Sequence, residues 1–494
     1  MRASPLILRY CAFLLLGALM PLAFAPWFFW PLAIILPALL IWVVGRDSDP
    51  RQAFLAGWIF GLGYFGFGVY WIYNSLHDFG MAPPFVAGAI TALLIALLAV
   101  FPGLALLTHR YSARRFGEKS IWLLPLTWFG FEWLRGWFLT GFPWLSLGYS
   151  QTESPLAGYA ALVGVYGIGA LSMLMSVALV VVVRDRRYGW LMLLVLIPAS
   201  GYLLGQVNWT QAQTSALKVT MVQGNIPQEI KWQYQQRQNI VDTYWRETSQ
   251  HWDSDLIIWP ETALPGHSEE IDQSILQPLE NQAGENDSQI LTGLVISDTA
   301  SNSFYNGLML LGKERSLYLK RHLVVFGEYY PMRWLLDFLR GFINIPYSDL
   351  TAGPSQQELM KIKDTVLGLS ICFEDAFSRD VLMALPEANL LVNVSNDAWF
   401  GDSTAPHQHL QMAQMRSQET GRAMVRSTNT GVSAFIDYRG KIIAQSEQFR
   451  TQSISLTLSG RSGVTPFLYF AKVQGVLAVF ALLVILFLAW RKAV

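Results

Sequence analysis

Hydrophobic residues are distributed unevenly along this chain. Apolar runs of about 20 residues, the length that a helix needs to cross a bilayer, occur before residue 207 and after residue 466, whereas short apolar runs alternate with polar segments in between. The long runs predict a bundle of about eight transmembrane helices. They lie near residues 7–24, 26–45, 53–73, 85–107, 121–139, 158–183, 188–206 and 467–490.

Two of these runs admit a second interpretation. The first resembles a signal peptide, because Ala23-Phe24-Ala25, with small residues at its first and third positions, looks like a cleavage site. Pro26 and the apolar run that follows at once favour a retained helix. The fifth run carries Glu132 and Arg135, three residues apart. We expect this pair to bond within the protein, the alternative being contact with a lipid headgroup.

The middle region, residues 207–466, predicts one α/β domain. Its short runs rich in Val, Ile and Leu, separated by turn residues, are typical of strands. They are Leu217–Val222, Asp255–Trp259, Gln289–Ile296, Gly307–Leu311, Leu317–Val325, Val366–Ile371, Leu390–Val394 and Val432–Asp437. Residues 234–251 and 407–426 are expected to be helical. These strands and helices suffice for two packed sheets with helices outside. We therefore predict a membrane domain over 1–206, an α/β domain over 207–466 and a final membrane helix with a short tail over 467–494.

The charges support this division. Charged residues make up 14% of the 494-residue chain, against about 25% in soluble domains. The formal net charge of zero combines 12 basic and 7 acidic residues in 1–206, 20 and 28 in 207–466, and 3 and none in 467–494. Such a balance argues against nucleic acid as a partner. Two cysteines exclude a disulfide scaffold and a multi-cysteine metal site, and we expect no metal or cofactor.

Basic residues mark every second loop. Because basic loops stay in the cytoplasm, both termini are predicted to be cytoplasmic and the acidic domain periplasmic or external. The loops near 74–84 and 140–154 contain no Lys or Arg. The basic positions are Arg2, Arg9, Arg46, Arg51, Arg110, Arg114, Arg115, Lys119, Arg184, Arg186, Arg187, Arg491 and Lys492.

Three reactive side chains lie at predicted strand ends in the middle domain, where an α/β scaffold usually places its chemistry. They are Glu261, Lys320 and Cys372. A thiol forms thioesters with acyl donors, Glu261 suits a general base if burial raises its pKa, and Lys320 suits stabilisation of an oxyanion. Spacing alone leaves open that Cys372 is an inert small hydrophobe.

The motifs W-P-E-T at 259–262, Y-L-K-R-H-L-V-V-F-G-E at 318–328 and I-C-F-E-D at 371–375 resemble the nitrilase (carbon–nitrogen hydrolase) superfamily. The resemblance covers about residues 217–450 and implies an α-β-β-α sandwich with a triad: Glu261 as base, Lys320 as oxyanion stabiliser and Cys372 as nucleophile. With seven spans before this domain and one after it, nearly the whole chain is similar to the apolipoprotein N-acyltransferase family of the bacterial inner membrane. Further segments similar to that family are Phe142–Trp144, Leu147–Ser150, Val222–Pro227 and Asn393–Phe400.

The resemblance also implies supporting residues. Glu328 corresponds to a second essential glutamate, which would keep Lys320 charged and oriented. Phe373 and Glu374 follow the nucleophile, where the family often has Tyr-Glu, so any role of that phenolic hydroxyl is in doubt here. The alternative for Glu374 and Asp375 is a solvated pair in a loop.

Other residues are expected around the substrate. Trp232 is predicted to border a lipid-binding mouth, or else to be a packing residue. Segment 329–350, with Tyr329 and Tyr330, is too apolar for a free loop and suits an arm in the membrane interface, an internal helix being the alternative. We expect His322 to be a supporting residue, and His407 and His409 not to bind metal.

The implied reaction has two half-reactions. A glycerophospholipid donates a fatty acyl chain to Cys372, and the α-amine of an apolipoprotein's N-terminal diacylglyceryl-cysteine then accepts it. One alternative is a membrane-tethered amidase of the same superfamily, with water as acceptor. Another is a transporter with a sensory domain, but the internal repeats that transporters tend to have are not seen in the sequence.

Overall fold

The computed structural model describes residues 5–45, 49–329 and 349–490, which divide into two compact units. Unit 1 comprises the described residues within 1–73, 85–207 and 465–494, and unit 2 those within 74–84 and 208–464. Residues 74–84, which connect two predicted spans, therefore cluster with the α/β region.

Unit 1 is helical. Its helices are α1 (Pro5–Leu19), α2 (Leu32–Val44), α3 (Pro50–Gly68), α5 (Pro84–Phe116), α6 (Leu124–Arg135), α7 (Ala160–Asp185), α8 (Leu191–Leu204) and α15 (Phe467–Trp490), with the short α4 (Ile72–Asn74) at its border. Several of them contain an internal proline, for example Pro37 in α2 and Pro102 in α5. Helices with so many exposed apolar side chains are expected to face lipid.

Among the described residues, fewer than eight helices are long and apolar enough to span a membrane on their own. Four qualify by length and composition, or five if one bent pair counts as a single span. The four are Leu6–Ala23, Pro84–Arg135, Pro155–Asp185 and Phe467–Leu488, and two shorter apolar helices cover Leu32–Val44 and Tyr188–Leu204. The predicted fourth and fifth spans lie in one continuous helical segment, so the count of eight stays a prediction.

Glu132 and Arg135 form the expected ion pair inside unit 1, at 3.9 Å. Oε1 of Glu132 accepts from the backbone N–H of Leu147 at 2.6 Å. The guanidinium of Arg135 donates to the carbonyls of Phe142 and Trp144, each at 2.7 Å. Both side chains are buried, so the pair fixes the segment between 142 and 147 against α6.

Unit 2 contains two six-stranded sheets. The first sheet is built from β1 (Thr210–Gln223), β2 (Leu256–Ile258), β3 (Gln289–Asp298), β4 (Ser303–Leu311), β5 (Ser316–Leu319) and β12 (Gln452–Gly463). The second is built from β6 (Lys361–Ile362), β7 (Thr365–Ile371), β8 (Leu390–Ser395), β9 (Met424–Thr428), β10 (Ala434–Ile436) and β11 (Ile442–Gln445). The strand order is β12-β1-β2-β3-β4-β5 in the first sheet and β11-β10-β9-β8-β7-β6 in the second.

The sheets pack face to face with helices on their outer sides, which confirms the expected sandwich. Alternate residues of both sheets, such as Leu256, Leu291, Leu369 and Val392, form one buried core between them. The helices of unit 2 are α9 (Gln228–Lys231), α10 (Arg237–Thr248), α11 (Ser268–Ile271), α12 (Gln277–Glu285), α13 (Ser378–Leu382) and α14 (Ala405–Thr420). The first sheet packs outward on α10 and α12, and the second on α14.

Two predicted elements end earlier than their apolar pattern indicated. The strand expected over Leu317–Val325 ends at Leu319, because the backbone N–H groups of Arg321 and His322 donate to the buried carboxylate of Glu374 instead of a neighbouring strand. The helix expected over 407–426 ends at Thr420, where Gly421 adopts φ of 64° and caps it. The chain then enters β9, which the pattern did not predict.

Candidate active site

Cys372 lies on a tight turn at the carboxyl end of β7. Its backbone has φ of 52°, a conformation that costs a non-glycine residue roughly 1–3 kcal/mol. The Cys372 carbonyl accepts from Nδ2 of Asn393 at 3.2 Å and lies 3.3 Å from Nε2 of His409. The side chain is half-buried. Polar groups below the turn thus hold the residue in an otherwise unfavourable conformation.

Glu261 follows β2 by three residues and is 7% exposed. Its Oε1 accepts from Nδ2 of Asn306 at 2.7 Å and from Nζ of Lys320 at 3.3 Å, and its Oε2 accepts from the backbone N–H of Asn396 at 2.9 Å. The next residue, Thr262, has φ of 46°. The carboxylate is therefore fixed at both oxygens on a strained turn.

Lys320 is the first residue after β5, and its side chain is 1% exposed. Its ammonium lies between two carboxylates, 2.9 Å from Oε1 of Glu328 and 3.3 Å from Oε1 of Glu261. The other oxygen of Glu328 accepts from the backbone N–H of Val324 at 2.8 Å. The structure thus brings Glu261, Lys320 and Glu328 into direct contact.

Asn306 on β4 is a site residue that the sequence analysis missed. Its Nδ2 donates to Glu261 at 2.7 Å and to Glu328 at 2.9 Å, and its backbone carbonyl accepts from the N–H of Lys320 at 2.8 Å. The signal available in the sequence was an asparagine next to a predicted apolar strand, because an amide that is buried there needs hydrogen-bond partners. Asn306 therefore fixes the positions of the Glu261 and Glu328 carboxylates on either side of the Lys320 ammonium.

Lys231, at the end of α9, is the second missed residue. It is 1% exposed, and its Nζ donates to Oγ1 of Thr262 at 2.7 Å and to the carbonyl of Glu261 at 3.3 Å. Burial lowers the pKa of Lys231 to about 8, against the opposing charge of Glu261. Lys231 therefore braces the turn that carries the candidate base.

The three candidate catalytic groups influence each other's ionisation. Burial raises the pKa of Glu261, but the charge of Lys320 and the Asn306 hydrogen bond outweigh it, so the pKa lies below its usual value. Burial lowers the pKa of Lys320, but Glu328 and Glu261 outweigh it and raise the pKa above its usual range. Burial, and then Glu261, raise the pKa of the Cys372 thiol.

These directions describe the resting site. A neutral thiol faces an ionised carboxylate and a charged ammonium. The condition that burial raises the pKa of Glu261 is not met, because the charge of the cation beside it outweighs burial. An ionised Glu261 still suits a general base, which takes the proton as the thiol attacks and not before.

Glu374 lies directly behind the site and is fully buried. Its Oε1 accepts from the backbone N–H of Arg321 at 2.6 Å, and its Oε2 accepts from that of Ile371 at 2.7 Å and from Oη of Tyr318 at 2.9 Å. Burial raises the pKa of Glu374. Glu374 thus ties the segment after β5 to the turn after β7, and so fixes Lys320 relative to Cys372.

The solvated alternative is wrong for both acidic residues after Phe373, since Asp375 is also fully buried. Phe373 is half-buried, and its ring packs edge-on against Phe377 and His322 at centroid distances of 4.9 and 5.8 Å. Nδ1 of His322 lies 2.8 Å from Asp380. The ring of Phe373 therefore packs against aromatic neighbours next to the nucleophile.

The predicted substrate contacts are only partly described. Trp232 is half-buried and directly follows Lys231, and Tyr329 is half-buried and directly follows Glu328. Tyr330 and most of segment 329–350 lie outside the described residues. The roles of Trp232, Tyr329 and Tyr330 stay predictions.

Among the residues that the structure describes, no group of three or more His, Cys, Asp or Glu side chains is arranged to hold a metal ion. His409 has carboxylate partners instead, Asp375 at 2.8 Å and Asp397 at 3.1 Å.

Comparison with known proteins adds two family matches. A model of the apolipoprotein N-acyltransferase N-terminal domain matches residues 16–178, and a model of the carbon–nitrogen hydrolase family matches residues 218–462. Among solved structures, a CN-hydrolase superfamily protein from Xanthomonas campestris is 19% identical, with a TM-score of 0.38, over 55% of this chain and 97% of that one.

Full-length relatives are more similar. An apolipoprotein N-acyltransferase of Methylococcus capsulatus is 41% identical over 91% of this chain and 90% of its own length. One of Nitrosomonas europaea is 40% identical over 98% of this chain and 97% of its own length. Relatives so named do not favour the alternative of a water-using amidase. With both halves matched, the chain belongs to the apolipoprotein N-acyltransferase family.

Proposed function

We propose that this protein transfers a fatty acyl chain from a glycerophospholipid, through a thioester on Cys372, to the α-amine of the N-terminal diacylglyceryl-cysteine of apolipoproteins. The product is a triacylated lipoprotein. The observation that carries the proposal is the buried contact of Lys320 with Glu261 and Glu328. The charges of Lys320 and Glu261 both influence the pKa of the Cys372 thiol.

In the first half-reaction the sulfur of Cys372 attacks the ester carbonyl of the phospholipid while Glu261 takes the thiol proton. The new C–S bond leaves a negative charge on the carbonyl oxygen, which Lys320 stabilises. The intermediate collapses with cleavage of the ester C–O bond. The departing alcohol takes the proton from Glu261 and leaves as a lysophospholipid, and the thioester remains.

In the second half-reaction the α-amine of the apolipoprotein attacks the thioester carbonyl. Glu261 accepts a proton from the attacking nitrogen, and Lys320 again stabilises the oxyanion. The C–S bond breaks, an amide forms, and the sulfur of Cys372 regains its proton from Glu261. The cycle is ping-pong and uses the same three side chains twice.

Both substrates are lipids, so the reaction belongs at a bilayer. The protein is proposed to lie in the inner membrane of a bacterium. The basic loops support an orientation in which both termini are cytoplasmic and the α/β domain is periplasmic. Trp232, Tyr329 and Tyr330 are proposed to line the entrance for acyl chains. Water competes for the thioester, so the entrance is expected to exclude it.

The test is detection of the thioester. The purified full chain is mixed with phospholipid, and peptides containing Cys372 are analysed by mass spectrometry for an added fatty acyl group. The group is expected on the wild-type protein and on the Cys11→Ser control, because Cys11 lies in α1, but not on Cys372→Ala. Acylation of a diacylated lipoprotein peptide by Cys372→Ala at the wild-type rate would refute the proposal.

Addition of that peptide separates transfer from hydrolysis. Loss of the thioester together with a newly acylated peptide supports the transferase. Release of free fatty acid without an acylated peptide would instead identify water as the acceptor.

A further inference from the structure

Four charged side chains form a closed ring under the turn of Cys372. Asp375 contacts Nε2 of His409 at 2.8 Å, and Nδ1 of His409 contacts Asp397 at 3.1 Å. Asp397 contacts Nη2 of Arg426 at 3.1 Å, and Nη1 of Arg426 returns to Asp375 at 3.0 Å. All four side chains are 0–1% exposed.

The sheet and one helix assemble this ring from distant parts of the chain. Asp375 follows β7, Asp397 follows β8, Arg426 lies on β9 and His409 on α14. Because β7, β8 and β9 run parallel, their carboxyl ends meet at one edge of the sheet. Burying charges costs desolvation energy even when they are paired, and hydrophobic residues of similar volume often serve stability as well or better. The ring therefore calls for an explanation that packing alone does not supply.

The geometry requires a charged histidine. The neighbours of Nε2 of His409 are a carboxylate of Asp375 and the carbonyl of Cys372, and the neighbour of Nδ1 is a carboxylate of Asp397. All of these are acceptors, so each nitrogen must carry a proton. The ring then holds two negative and two positive charges and is neutral.

The ring also contacts the backbone of the nucleophile, directly through His409 and indirectly through Asn393. The Cys372 carbonyl lies 3.3 Å from Nε2 of His409 and accepts from Nδ2 of Asn393 at 3.2 Å. Oδ1 of Asn393 in turn accepts from Nη1 of Arg426 at 2.5 Å. Two ring members thus fix the carbonyl of a residue whose φ is 52°. Because the peptide is planar and trans, they fix the orientation of the following N–H as well.

We propose that His409 is a positioning residue for Cys372: as an imidazolium it holds the strained turn and neutralises the carboxylates beneath the thiol. The inference deepens the proposed function and rests on it. A second, electrostatic effect supports it, because the charge of Asp397 opposes formation of the Cys372 thiolate. Without the charge of His409, the ring would carry a net negative charge next to the nucleophile.

The charge argument predicts effects of opposite sign at two neighbouring ring positions. His409→Gln leaves a net charge of −1 and is expected to slow thiolate chemistry, whereas Asp375→Asn leaves +1 and is expected not to. The double variant His409→Gln/Asp375→Asn is neutral again. If His409 served packing alone, both single substitutions would slow the reaction and the double variant would be the slowest.

The measurement is the rate at which iodoacetamide alkylates Cys372 in the detergent-solubilised full chain. A Cys11→Ser background leaves Cys372 as the single thiol of the sequence. His409→Gln is expected to react about tenfold more slowly, since one unit of thiol pKa changes the thiolate fraction tenfold. Asp375→Asn is expected to react at least as fast as the parent, and the double variant faster than His409→Gln.

His407→Gln is the matched control, the same substitution two residues earlier on α14, and is expected to react like the parent. Parent-like alkylation of His409→Gln, or a double variant no faster than it, would overturn the inference. If His409→Gln does not fold, Asp375→Asn decides, because a tenfold slower reaction would contradict the charge argument. Thioester formation by the parent protein tests the proposed function separately.

Discussion

The contact between Lys320 and Glu328 offers a sharp test of how the site works. Glu328→Gln keeps the size of the side chain but removes its charge. In the structure Oε1 of Glu328 faces two donors, Nζ of Lys320 and Nδ2 of Asn306, each at 2.9 Å, and Oε2 faces the N–H of Val324 at 2.8 Å. Whichever way the new amide lies, its NH₂ group meets a donor.

The magnitude follows from burial. The side chains of Lys320 and Glu328 are 1% and 13% exposed, and removing one partner of a buried ion pair costs about 3–5 kcal/mol. Because Glu261 remains next to Lys320, we expect about 3 kcal/mol in the free energy of unfolding. The ammonium should move toward Glu261 and away from the oxyanion. Losing one oxyanion donor costs about 100- to 1000-fold, so a displaced one should cost roughly 10- to 100-fold.

The assay is the single-turnover rate of thioester formation on Cys372 with phospholipid, measured alongside denaturant unfolding of the full chain in detergent. Glu269→Gln, an exposed glutamate on α11, is the matched control and should leave both quantities unchanged. If Glu328→Gln forms the thioester within twofold of the wild-type rate while correctly folded, the charge of Glu328 does not position Lys320 and the reasoning fails.

Four further substitutions test neighbouring contacts. Asn306→Leu removes the donor shared by two carboxylates, and we expect it to lose about 1–3 kcal/mol of unfolding free energy and to slow thioester formation; an unchanged rate would contradict the bridging role. Burial depresses the folded-state pKa of Lys231 to about 8, so the unfolded chain binds more protons above that pH and stability should rise by about 3 kcal/mol from pH 8 to 10.5. Denaturant unfolding of Lys231→Met should lack this rise, and an equal rise in both proteins would exclude Lys231 as its source. Tyr318→Phe removes one hydrogen bond to Glu374 and should cost about 1 kcal/mol of unfolding free energy. Glu374→Gln places an NH₂ group against backbone donors and should cost more. Equal losses of stability in thermal unfolding would show that the Glu374 carboxylate does not connect the segment after β5 to the turn after β7.

The sequence by itself determined the kind of protein and singled out its candidate catalytic residues. Runs of apolar residues indicated membrane helices, and alternating short runs indicated a two-sheet domain. Three motifs with Glu261, Lys320 and Cys372 identified the superfamily. These features are local, because the length of an apolar run and a short motif can be read without knowing what lies opposite. The number of spans could not be read so safely, since helices such as α2 and α8 are shorter than a full span.

Only the tertiary structure decided how these residues act on one another. Lys320 and Glu261 are 59 residues apart in sequence, and Asp375 and Arg426 are 51 apart. No periodicity encodes such pairs. The early end of β5 has the same cause, because Glu374, contributed by the second sheet, captures the N–H groups of Arg321 and His322.

The directions of the pKa shifts were likewise decided only by the tertiary structure. Burial, which can be anticipated from an apolar sequence context, raises the pKa of a carboxyl group, yet Glu261 ends below its usual value because a cation from another strand lies 3.3 Å away. The roles of Asn306, Lys231 and His409 likewise depend on partners that only the folded sheets bring near. Electrostatic interactions act over a few ångströms in space, and a sequence gives separations only along the chain.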